Sequence, residues 1–111
     1  MSDYYTLNGK QVVPAANVHD WSKMFGSRNR IVAKEYVGDM HVSTVFLGLD
    51  HRYGGEGPPL VFETMIFNGI EEYQERCSTW AEAEIIHTDA MKVARRWYRW
   101  WWLIILWRSL K

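Results

Sequence analysis

The chain has 111 residues, which is the length of one domain able to bury a core without disulfide or metal support. Its formal net charge is zero, with 13 basic and 13 acidic residues, which argues against a protein that coats a nucleic acid polymer. Cys77 is the only cysteine, so no internal disulfide forms, and Met1-Ser2-Asp3-Tyr4-Tyr5 lacks the basic and apolar regions of a signal peptide.

Tyr4 to Leu7 and Gln11 to Val13 flank Asn8-Gly9, a dipeptide that tolerates positive φ and predicts a small hairpin stopped by Pro14. Asn17 is placed to cap a short helix over Val18 to Phe25, with Val18, Trp21, Met24 and Phe25 at helical spacing. Arg30 to Val37, Met40 to Leu49 and Leu60 to Phe67 are β-prone runs. Gly38-Asp39 turns the first into the second, and a Gly- and Pro-rich loop, Asp50 to Pro59, joins the second to the third. Asn68 to Cys77 is polar and without a clear period. Thr79-Trp80-Ala81-Glu82 has the spacing of a capping box, and nothing after it is Gly or Pro. A helix from there can reach Leu106 or beyond, on the order of 40 Å at about 1.5 Å per residue. The expected fold is α+β: an N-terminal β-hairpin, a short helix, a three-stranded antiparallel meander and a long C-terminal helix. Residues 1–96 form the domain, and 97–111 are a Trp-rich basic and apolar extension of the last helix.

Successive strand residues point to opposite sheet faces. With Gly38-Asp39 at the first turn, one face carries Ile31, Ala33, Val37, Met40, Val42, Thr44, Phe46, Leu60, Phe62 and Ile66, and should meet the helices. The other carries Arg30, Lys34, Tyr36, His41, Ser43, Val45, Leu47, Glu63, Met65 and Phe67. Its apolar centre calls for a partner, so a homo-oligomer is expected.

The run Ser43-Thr44-Val45-Phe46-Leu47-Gly48-Leu49-Asp50-His51, the segment from Gly57 to Phe67, and Ser78 to Ala83 followed by His87 and Met91 resemble a group of small proteins encoded by tailed bacteriophages and prophages. The segments Tyr4 to Pro14 and Asp20 to Phe25 are similar to theirs as well. The resemblance covers roughly residues 4–96 and leaves out the Trp-rich extension. That group has no established activity. What the resemblance implies is an accessory protein working in the host bacterial cytoplasm, acting on host enzymes or blunting host defence by binding.

Three surfaces are candidates for that binding. Arg30, Lys34 and Glu63 on the mixed face, with Asp50, His51, Arg52, Tyr53, Gly54 and Gly55 in the loop, could hold a small anionic, nucleotide-like ligand: glycine backbone approaches phosphate, arginine offers a forked donor and tyrosine stacks on a base. A solvated hairpin loop and ordinary cross-strand ion pairs are the simpler account of the same residues. The mixed sheet face could instead dock a host protein. Finally Trp97, Trp100, Trp101, Trp102, Leu103, Ile104 and Trp107, interleaved with arginine, suit a membrane surface or burial between subunits, or form a tail with no selected role; the run is too short to span a bilayer. Nothing points to a catalytic set, a metal site or a cofactor: there is no nucleophile–base motif and no paired-cysteine or histidine spacing.

Overall fold

The computed structural model describes residues 4–52 and 56–110, apart from the Phe25 side chain. Strands β1 (Tyr5–Asn8) and β2 (Gln11–Pro14) form the expected hairpin, but Asn8 pairs with Gln11, so the turn is Gly9-Lys10, one residue later than expected, with Gly9 supplying the positive φ at its first position. Helix α1 (Val18–Lys23) begins where the Asn17 side chain accepts a 2.8 Å hydrogen bond from the Asp20 N–H, and a 3-10 turn, Met24–Gly26, ends it. A four-stranded antiparallel sheet follows in the order β3 (Ile31–Val37), β4 (Met40–Phe46), β5 (Phe62–Phe67), β6 (Tyr73–Cys77). Helix α2 (Trp80–Ser109) then crosses one face of that sheet. Thr79 caps it, accepting from the Glu82 N–H at 3.1 Å while its hydroxyl donates to the Glu82 carboxylate at 2.9 Å.

The α+β architecture is as expected, with one strand more than the three-stranded meander. Tyr73–Cys77 is the fourth strand, an edge whose outward residues are charged or polar; its alternation is hidden because only Tyr73 and Cys77 look inward with any apolar character. Two further differences have local causes. Arg28–Arg30 is a 3-10 turn capped by Ser27, so Arg30 precedes the sheet. A bulge between Ile31 and Ala33 shifts the register, pairs Ile31 with Val45 on the outer face, and lets Val32 pack into the core where Ile31 was expected. Beyond the bulge the alternation holds. Met40, Val42, Thr44, Phe46, Phe62, Thr64 and Ile66 are all buried under α2.

The core has two apolar clusters. One joins Met40, Val42 and Ile66 to Ala90, Met91 and Ala94. The other joins Phe46, Val61, Phe62 and Cys77 to Ala83, and the hairpin packs on it through Tyr5, Leu7 and Val12. Alanines at the helix contacts bring its backbone close to the sheet. Between the clusters lies a buried polar layer: the Thr44 hydroxyl is 2.7 Å from the Thr64 hydroxyl and 2.7 Å from His87 Nδ1. On the far side of the ring, Nε2 faces the Glu35 carboxylate at 3.5 Å. That distance is an electrostatic contact, too long for a well-made hydrogen bond.

Burial holds the His87 imidazole below its ordinary pKa, and the facing Glu35 carboxylate only partly opposes this. His87 is therefore neutral in the folded state at neutral pH and takes up a proton more readily once unfolded. The stability it contributes is present above the ordinary histidine value of about 6.5 and is lost as pH falls below it, by at most ~1.4 kcal/mol per pH unit. Urea denaturation at pH 7.5 and 5.5 is expected to show this loss, and His87→Gln is expected to flatten it.

Candidate functional site

The loop after β4 is anchored by Asp50. Its carboxylate accepts from the backbone N–H of Arg52 at 2.9 Å and of Leu60 at 3.0 Å, and Arg52 Nη2 lies 3.3 Å from its second oxygen. Burial raises the Asp50 pKa, but the hydrogen bonds from Leu60 and Arg52 and the Arg52 charge outweigh it and hold the carboxyl below the usual value. The His51 N–H donates to the Leu60 carbonyl at 3.1 Å. Asp50, His51 and Arg52 thus close the neck of the loop. The arginine expected to receive an anion is already paired with a carboxylate beside it. Tyr53, Gly54 and Gly55, the remaining loop candidates, lie outside the described residues.

The mixed face does not assemble the expected anion cradle. Glu63 is bound by strand β6, through Arg76 Nε at 3.0 Å and Gln74 Nε2 at 2.6 Å. Lys34 sits mid-strand opposite Ser43, whereas Arg30 belongs to the turn before the bulge. The face does carry an aromatic row across three strands, with Tyr36 stacked on His41 at 4.5 Å and Phe67 beyond it. Tyr36 is 70% and Phe67 44% exposed. Among the described residues, no three His, Cys, Asp or Glu side chains are grouped to hold a metal ion. The Cys77 thiol is buried, with its pKa pushed up to about 11, and its S–H is directed at the Thr79 carbonyl at 3.7 Å, so it is no nucleophile.

Among the described residues, the second half of α2 carries a long run of exposed apolar side chains. The molecule measures 62 Å along its longest axis and only 29 and 20 Å across the others. The helix docks through Trp97 and Tyr98 and then runs on past the sheet. Trp100, Trp101, Trp102, Leu103, Ile104, Leu106 and Trp107 are all exposed, from 44% to 62%. Eight consecutive apolar residues, Trp100 to Trp107, surround the helix axis at 100° per residue and leave no polar stripe. Below them Lys92, Arg95, Arg96 and Arg99 fall within one sector on the side away from the sheet, and all are exposed. Arg108 lies beyond. No helix of the described residues is long and apolar enough to cross a membrane.

A charge signal in the sequence points to the same element and is hidden by the zero total. Six cations and no carboxylate follow Asp89, so the preceding 89 residues carry six more acids than bases. The chain is a dipole, cationic along its projecting helix and acidic in its body.

A second feature marks the place where the helix leaves the sheet. A cavity of about 380 Å³ lies between the β3–β4 turn, the β5–β6 connection and α2, lined by Val37, Asp39, Met40, Ile70, Trp97, Tyr98 and Trp101 among others. No family of proteins, curated protein or solved structure matches the chain.

Proposed function

We propose that the protein is a non-enzymatic factor that docks on an anionic membrane surface through the projecting half of α2. The observation that carries this is the conjunction, on the part of α2 that follows Asp89, of an exposed Trp-rich apolar girdle with basic residues and no acidic one. Tryptophan prefers the headgroup level of a bilayer, and each basic residue near an anionic surface adds about 1 kcal/mol. The sequestered-anion reading has less support, since Arg52 is engaged by Asp50 and Glu63 by Arg76. A role as a phage accessory protein acting on the host, anti-defence included, is carried by the sequence resemblance, and a membrane-docked binding factor is compatible with it.

Co-sedimentation with vesicles tests the proposal. Binding to vesicles containing anionic lipid is expected to exceed binding to wholly neutral ones at least tenfold, and to weaken as salt is raised from 50 to 500 mM. Protein that stays in the supernatant with both vesicle types, while sedimentation velocity shows a stable oligomer, would overturn it in favour of self-association.

A further inference from the structure

We infer that the cavity at the base of the projecting helix is a binding site for a quaternary ammonium or N-methylated ammonium group. Three aromatic side chains, Trp97, Tyr98 and Trp101, line one half-open cleft of about 380 Å³ together with Asp39. Aromatic faces attract a cation through their quadrupole, and a methylated ammonium, poorly hydrated and unable to donate strong hydrogen bonds, gains most from such a wall. A carboxylate beside the rings supplies the counter-charge. Asp39 is available for this: its backbone carbonyl accepts from Asn68 Nδ2 at 3.2 Å, while its carboxylate has no hydrogen bond or ion pair among the described residues.

The alternatives fit less well. An anion would find no cation on these walls, because Lys92, Arg95, Arg96 and Arg99 occupy the opposite side of the helix. A simple hydrocarbon chain would make no use of the Asp39 charge at the rim. The walls are also fixed in advance. The Tyr98 ring lies over Gly38, where an added Cβ would stand 2.5 Å from it, and the Trp97 ring lies over Gly69 in the same way. Rings held like this pay little ordering cost when a ligand enters. The volume accommodates a trimethylammonium head together with part of the stem that carries it.

Calorimetry with choline chloride tests the site, with 3,3-dimethylbutan-1-ol as its uncharged isostere. Choline is expected to bind, the isostere to bind at least tenfold more weakly, and Asp39→Asn and Trp101→Leu each to weaken choline about tenfold. Trp101 is half exposed and Asp39 lies in a surface turn, so both variants are expected to fold; circular dichroism checks this. No heat with choline, or equal affinity for the isostere, overturns the inference. The source of the group is read from vesicles of fixed anionic content with either phosphatidylcholine or phosphatidylethanolamine as the remainder. A preference for phosphatidylcholine that free choline abolishes assigns the site to a lipid headgroup. Choline binding without that preference assigns it to a soluble cation. The site does not depend on membrane docking: protein that binds choline and ignores all vesicles refutes the docking proposal alone, and protein that binds vesicles and gives no heat with choline refutes the cavity alone.

Discussion

Replacing Trp100, Leu103, Leu106 and Trp107 with glutamine is expected to lower affinity for anionic vesicles at least a hundredfold while leaving the thermal midpoint within a few degrees of the parent. The four residues share the side of α2 that continues the cationic sector of Lys92, Arg95, Arg96 and Arg99, and each is 56% to 62% exposed. Full burial of a large apolar side chain is worth about 1.5–3 kcal/mol. If half of that is realised at an interface, the four together supply about 3–6 kcal/mol, or two to four decades of affinity. Glutamine forms helix nearly as well as the residues it replaces, and none of the four belongs to either core cluster. Unchanged vesicle binding by this variant, measured by co-sedimentation, would remove the helix from the proposed mechanism. A fall in thermal midpoint as large as the loss of binding would place these side chains in the folded core instead.

The second large effect lies in the polar layer. Thr44→Val is expected to cost about 2–4 kcal/mol of unfolding free energy, a substantial part of the 5–15 kcal/mol that holds a typical domain together. The Thr44 hydroxyl is fully buried and joins two other buried groups, Thr64 and His87. Neutral His87 with its proton on Nε2, toward Glu35, accepts at Nδ1 from Thr44, which in turn accepts from Thr64. Removing the middle hydroxyl leaves two polar groups unsatisfied, at about 1–3 kcal/mol each. The triple replacement Thr44→Val, Thr64→Val, His87→Leu removes all the partners together and is expected to be more stable than Thr44→Val alone. Urea denaturation of the three proteins decides the matter; a triple variant less stable than the single one would show that the layer stabilises the fold by more than mutual satisfaction. This chain of hydroxyl, imidazole and carboxylate has the order of a catalytic triad. Thr44, however, is completely shielded, and no substrate can reach it.

What the amino-acid sequence discloses here follows how local each signal is. The N-terminal hairpin, the Asn17 and Thr79 caps and the length of α2 all depend on neighbours within a few positions, and the structure repeats them, with the hairpin turn at Gly9-Lys10 one residue past the expected Asn8-Gly9. Strand alternation from Ala33 to Ile66 also shows, because burial on one face imposes it. Ile31 fails because a bulge is a property of two strands and has no signature in one. Tyr73–Cys77 fails because an edge strand is kept polar. The loop candidates differ in kind: Asp50 and Arg52 look like ligand groups by type, and what their types do not disclose is that they pair with each other and that Asp50 accepts from the Leu60 backbone ten residues away. The Trp-rich helix stands out from composition alone. That it runs on past the sheet, rather than folding back over it, depends on where the docking surface stops.

That stopping point is set by two glycines. Gly38 and Gly69, one in each connection at that end of the sheet, carry the Tyr98 and Trp97 rings directly on their α-carbons. The pair acts as a fulcrum. From Trp97 to Ser109 the helix rises about 18 Å at 1.5 Å per residue, so any tilt imposed at the fulcrum is multiplied at the tip. A methyl group on either glycine would push its ring outward and swing the whole Trp-bearing arm through a wider arc. The two smallest residues in the sheet's turns therefore aim its largest ones.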